Sequence, residues 1–281
     1  MSGILLHPPL WHLLAAALYT ALAVRCWRVR GTMATLSRAP TGMPSGERAA
    51  LLVALALHGI TLSQELFDNG GMRFGFSLAL SLMLWLALLI YWIESFYARM
   101  EGLQMLGLPL AAACVMLPAI FPGQRLLFNV DSLTFRAHFL IAMLAYSLFT
   151  LAALHALLMA VAEKRLHSGR MSPLIASLPP LMTMETLLFR LIHIAFLLLT
   201  LTVISGVFFS ESLFGKPLPL DHKTVFAIIA WFIFAALLLG RHLRGWRGRL
   251  ALRWTLAGFI ALMLAYVGSR FVIEVILGRA A

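Results

Sequence analysis

Long apolar runs separated by short polar and basic stretches set the pattern of this chain. Eight of them stand at about residues 9–25, 49–67, 74–97, 103–121, 137–162, 186–209, 223–241 and 254–277. A helix needs about 20 apolar residues to cross roughly 30 Å of hydrocarbon. The pattern therefore predicts an all-α polytopic membrane helical bundle, with about eight transmembrane helices in one integral membrane domain over 1–281. Two runs carry features that a lipid-facing helix would not tolerate. The fourth holds Pro109 and Pro118, which are admitted only where other groups satisfy the freed carbonyls. The second places His58, Thr61 and Glu65 on one helical face, and that stripe should point into the bundle.

Composition agrees: 62% of the residues are hydrophobic and 12% charged, against about a quarter charged in soluble proteins. The formal charge of +11 sits mainly in the connections between runs, which argues for an orientation signal and against nucleic acid as a partner. The connections after runs 1, 3, 5 and 7 hold the larger share, including Arg25, Arg28, Arg48, Arg99, Lys164, Arg165, Arg241, Arg244, Arg247 and Arg249. By the positive-inside rule that side is cytoplasmic and both termini lie outside. Basic residues follow the first run rather than precede it, so it reads as a retained span and not a cleaved leader. Gly31 to Gly46 reads as a flexible loop, Leu174 to Met182 as an interfacial piece, and Phe121 to Arg136 as holding a short interfacial helix. Cys26 and Cys114 lack metal-type spacing and predict no disulfide.

Candidate chemistry rests on histidines. His138 opens the fifth run and His222 the seventh, both on the outer side and at similar depth. Two neutral imidazoles at one depth can serve as axial ligands to haem iron; the alternative is two helix-end histidines bonded to carbonyls. Asp221 could orient an imidazole or act as the helix N-cap. His58 and His193 lie at similar depth further in, as a second pair or as separate histidines bonded across helix contacts. Tyr266, Arg270 and Glu274 recur every four residues in the last run. Arg270 can pair with Glu274 or face an anionic group such as a haem propionate. Trp231 belongs to an aromatic set that a membrane bundle carries in any case.

Three passages carry a family resemblance: FRLIHIAFLLLTLTVISGVFFSESLFG, DHKTVFAIIAWFIFAALLLGRHLRGWRGR and LAYVGSRFV. Together they resemble the cytochrome c assembly family, the haem-handling membrane proteins of the CcsA and CcmC type, over about residues 185 to 272. Asp221, Lys223, Thr224, Trp231, Arg241 and Gly245 to Arg249 occupy matching positions. The passage from His138 resembles the family span that begins with an outer haem-ligand His, and His58 sits where the family places a His in an early span. The resemblance implies His138 as an outer ligand and His58 as an inner one; His222 and His193 are substitutes suggested by depth alone. The tryptophan-rich haem-docking loop is absent from FGKPLPLDHK, and a late outer His is missing after the last run. The chain looks like the shorter HemX-like or YpjD-like branch.

The resulting expectation is a haem-binding, haem-handling protein of the bacterial inner membrane, associated with cytochrome c assembly and not an enzyme. Its partners would be the lipid bilayer and other cytochrome c maturation proteins or apocytochrome. The alternative is a non-catalytic accessory or regulatory protein of the same fold that has lost haem delivery. A small-solute or ion transporter using the stripe at His58, Thr61 and Glu65 is a further reading, against which the lack of an inverted repeat argues.

Overall fold

Among the described residues, eight apolar helices make up the bundle in the computed structural model. The structure describes residues 8–35, 43–68, 71–97, 101–122, 126–127, 130, 132–167, 178–214 and 221–278. The helices are α1 (Pro8–Thr35), α2 (Ser45–Leu66), α3 (Phe76–Glu94), α4 (Gln104–Ile120), α5 (Leu133–His167), α6 (Leu181–Phe214), α7 (His222–Arg244) and α8 (Gly248–Ile276). Seven are long and apolar enough to cross a membrane; α4, at 17 residues, is shorter. Its path nevertheless runs the length of the bundle. A 3-10 turn, Glu101–Leu103, leads into it, and the strand that follows it lies beside the strand that precedes α3.

That pairing belongs to a small antiparallel sheet of β1 (Phe67–Asp68), β2 (Gly71–Arg73) and β3 (Leu126–Leu127) in the order β1-β2-β3. Met72 faces Leu127 across it and Arg73 faces Leu126. The interfacial helix expected between Phe121 and Arg136 is thus replaced, in its described part, by a strand. Exposed carbonyls and amides of the loop find partners across the sheet, and Met72 is buried beneath. Residues 174–177 of the piece expected at Leu174–Met182 lie outside the described residues; from Leu181 onward it is α6. The helix α1 reaches Thr35, past the point where a loop was expected.

The sheet marks one end of the bundle and the basic connections mark the other. His12, near the start of α1, meets α4 and Glu65, and Glu274, near the end of α8, meets the start of α3. Both ends of the described chain are therefore at the sheet end. In the middle α5 packs chiefly on α6, α3 and α8, while α1 lies against α4 and α2.

His12 braces α4 beside the second of its prolines. Pro118 supplies no N–H and its ring crowds the preceding turn. His12 Nδ1 donates to the Val115 carbonyl, three residues before that proline, at 2.6 Å. The bond gives the turn that Pro118 crowds an external partner, one residue from Cys114, whose carbonyl the missing N–H frees.

The basic end is locked by the glycines of GWRGR. Gly245 has φ +65° and Gly248 has φ +55°, in the left-handed region that favours glycine. They turn the chain between α7 and α8, and Trp246 N donates to Gly240 O at 3.2 Å. The Trp246 ring lies directly on Gly240, where a Cβ would collide with it. Glu185 of α6, mostly buried, accepts from Arg241 Nη1 at 2.6 Å and sits 3.4 Å from Arg247 Nε. Arg241 also covers the Phe189 ring at 4.5 Å. The motif thus fastens α6, α7 and α8 to one another.

Candidate functional site

A ring contact in the centre provides a ruler for the histidines. Phe149 of α5 stacks on Phe234 of α7 at 3.9 Å, and Gly258 of α8 lies so close that a Cβ there would be 2.8 Å from the Phe234 ring. His138 lies 11 residues from Phe149, His222 12 from Phe234 and Arg270 12 from Gly258, all toward the sheet end. At about 1.5 Å per residue, each is roughly 17 Å from the common layer. The helices α5 and α7 run away from the sheet end and α8 runs back to it, so the three residues share one level.

Each of the three has a different setting. His138 is half-buried against α6, with Nδ1 2.7 Å from Ser205 Oγ and its ring on Gly206, where a Cβ would stand 3.6 Å from Cε1. Ser205 already donates to Thr202 O. Its hydroxyl therefore accepts from His138, which makes Nδ1 the protonated nitrogen. His222 is exposed at the first turn of α7 and makes none of the described hydrogen bonds. Arg270 is 2% exposed, and its Nε and Nη1 have no hydrogen-bond partner.

Arg270 sits in a short α-helical turn between two π-helical segments, Leu264–Gly268 and Val272–Ile276. Such segments widen a helix locally and concentrate at functional sites. Glu274, the expected partner of Arg270, is turned elsewhere: its Oε2 accepts from Phe76 N at 3.2 Å, at the start of α3. A carboxylate there is stabilised by the helix dipole, and Gly75 leaves it room. Among the described residues no salt bridge joins Arg270 to Glu274. Tyr266 tilts against Phe74 at 5.5 Å, and Phe74 meets Phe139 edge-on at 5.0 Å. These aromatic rings form an apolar wall at the same end.

Asp221 is the N-cap of α7, its Oδ1 accepting from Thr224 N at 3.0 Å and from Thr224 Oγ1 at 3.1 Å. Trp231 donates from Nε1 to Thr200 Oγ1 at 2.9 Å and tilts on Phe196, tying α7 to α6.

The inner pair is not brought together. His58 is fully buried, with Tyr19 of α1 at 3.2 Å from Nδ1 and Ser81 of α3 at 2.8 Å from Nε2. His193 is on an exposed face of α6 and its Nδ1 donates to Phe189 O at 2.6 Å. A further buried histidine, His155 of α5, donates from Nε2 to Met184 O at 2.9 Å and leaves Nδ1 buried without a partner. No group of three or more His, Cys, Asp or Glu suited to a metal ion occurs among the described residues.

Comparison with known proteins agrees with this architecture. The family model described as cytochrome C assembly protein matches residues 47–277. The inner membrane protein YpjD of Escherichia coli K12 is 31% identical over 228 residues, covering 80% of this chain and 85% of that protein. An uncharacterised 28.8 kDa protein of Azospirillum brasilense is 34% identical over half of this chain and 52% of its own. The cytochrome c biogenesis protein CcsA of Gloeobacter violaceus is 35% identical over 33% of this chain and 27% of its own. No solved structure matches. The chain is a multi-pass inner-membrane protein, and it belongs to the cytochrome c assembly protein family.

Proposed function

We propose that this protein binds haem at the sheet end of the bundle and handles it during cytochrome c maturation, without itself catalysing a reaction. The observation that carries the reading is Arg270, a buried guanidinium with unpartnered Nε and Nη1, at the level of His138 and His222. An ion in a low-dielectric interior is retained where a counter-charge compensates its desolvation, and haem carries two propionates. Arg270 would hold a propionate. His138 and His222 would offer imidazole nitrogens to the iron, with Ser205 fixing the His138 tautomer. The rings of Phe74, Phe139 and Tyr266 supply the apolar wall that a porphyrin requires. Bound haem would supply the vinyl-bearing macrocycle and redox-active iron that a c-type cytochrome needs.

His58 and His193 contribute less to this reading. Both nitrogens of His58 are engaged, and His193 faces outward. The relatives named CcsA are cytochrome c biogenesis proteins, which favours the same process here. Within it, other maturation proteins or apocytochrome would be the partners. The sheet end would face outward and GWRGR the cytoplasm, because the basic residues cluster at the GWRGR end.

The accessory reading, a fold kept after haem delivery was lost, is favoured by the engagement of His58 alone. One experiment separates the two. The full-length protein in mild detergent is titrated with haem and its absorption spectrum recorded. A saturating Soret band, shifted in His138→Ala and His222→Ala, supports haem ligation. Absence of uptake at stoichiometric haem overturns it. Reporter fusions at Gly245 and at Asn69 test the orientation; an outward Gly245 reverses it.

A further inference from the structure

The opposite end of the bundle carries a cleft that the haem reading does not use. It lies between the last turns of α5 and the first turns of α8, with a volume of about 400 Å³. Lys164, Arg249 and Arg253 line it together with one carboxylate, Glu163. Glu163 is committed to Arg249, whose Nε lies 2.9 Å from Oε1. Lys164 and Arg253 are exposed and, among the described residues, take part in no ion pair or hydrogen bond.

The lining is graded along the helix axes. On α5, Lys164 stands at the outside and Ala160 one turn further in; on α8, Arg249 leads to Leu252 and then Leu256. At about 1.5 Å per residue, the cationic rim gives way to an apolar floor within roughly 10 Å. Arg253 lies one turn inside Arg249 on the same face, at a depth where a long side chain extends back toward the interface. A soluble anion would use the rim alone. A phospholipid, with a phosphate above and acyl chains below, matches both parts.

We propose that this cleft binds an anionic phospholipid, its headgroup phosphate between Lys164 and Arg253 and its acyl chain along Leu252, Leu256 and Ala160. Glu163 tethers Arg249 and sets the width of the rim. Neutral headgroups offer no net charge to two uncompensated cations. A basic pocket between helices at a membrane interface is the arrangement that selects anionic lipid.

The test uses the full-length protein in detergent, with phosphatidylglycerol added from mixed micelles and retained lipid counted by native mass spectrometry. Phosphatidylcholine and inorganic phosphate are the comparison ligands. Phosphatidylglycerol is expected to be retained in preference to both. Lys164→Gln and Arg253→Gln are each expected to weaken it about fivefold, and the double variant roughly twentyfold. Arg244→Gln, an exposed cation of the same end outside the cleft, is expected to leave retention unchanged. Equal loss in Arg244→Gln would show a diffuse surface field and overturn the site. Undiminished retention in the double variant would overturn it too, as would retention of inorganic phosphate equal to that of the lipid. Because all of these variants alter exposed side chains, melting temperature in phosphatidylcholine micelles serves as the folding control.

Discussion

Tyr19 closes one side of His58: its hydroxyl lies 3.2 Å from Nδ1, and the two rings meet edge to face at 5.7 Å. Ser81 closes the other side. A neutral imidazole has one N–H and one lone pair, so one hydroxyl accepts from the ring and the other donates to it. This arrangement uses three helices to satisfy one ring in the interior. The helix that carries Tyr19 precedes the segment matched by the family model.

Tyr19→Phe is therefore expected to lower the stability of the protein by about 1–3 kcal/mol, since a buried ring nitrogen is left unsatisfied. Thermal unfolding in detergent reads this directly. The haem spectrum should be unchanged in the same variant. A His58→Gln protein that stays folded but loses its Soret band would instead make His58 a ligand.

The bundle was legible because membrane-spanning runs are local: length and hydrophobicity alone place α2, α3, α4 and α7 to within a few residues, whereas α8 begins six residues before the expected run, at Gly248. What was illegible depends on distant partners. Nothing near Pro118 announces that His12 will reach Val115 from more than a hundred residues away. Glu274 and Arg270 share a face on paper, yet the start of α3 takes the carboxylate. The paired strands were hidden because strands of two or three residues carry no readable periodicity. Of the site, helix direction made the shared level of His138 and His222 readable. The burial of Arg270 needed the packing of the surrounding helices.

Gly240 and Trp246 give a second test. The indole occupies the space a Cβ would take, so Gly240→Ala forces the ring or α7 to move. A destabilisation of about 1–3 kcal/mol is expected, read as a lower melting temperature. Trp246→Ala on the same background should recover part of the loss, because the two changes act on one contact. Strict additivity in that double-mutant cycle would contradict the packing described.

At Glu185 the expectation concerns charge rather than volume. The carboxylate holds Arg241 and faces Arg247, and Gln preserves its shape while removing its charge. Glu185→Gln should lose about 1–3 kcal/mol, the scale of a hydrogen bond to a charged group. Arg247→Gln, whose side chain is far more exposed, should lose under about 1 kcal/mol. If the two variants unfold at the same temperature, the partly buried Arg241 pair is not the dominant contact.

Arg270 yields the prediction with opposite signs. In the haem-free protein its guanidinium is buried, with two nitrogens unpartnered, so it opposes folding. Arg270→Met fills similar space without the charge and should raise the stability of the haem-free protein, by about 1–4 kcal/mol. The same change removes the counter-charge proposed for a propionate. Haem affinity should then fall by roughly ten- to a hundredfold, the equivalent of about 1.5–3 kcal/mol for a charge-assisted bond. Arg270→Lys keeps the charge but not the planar fork, so its haem affinity should lie between those of Arg270→Met and the unaltered protein. A purely structural arginine predicts the reverse of the first result: Arg270→Met would melt at a lower temperature without haem. Greater stability combined with weaker haem binding is the signature of a residue kept for its ligand.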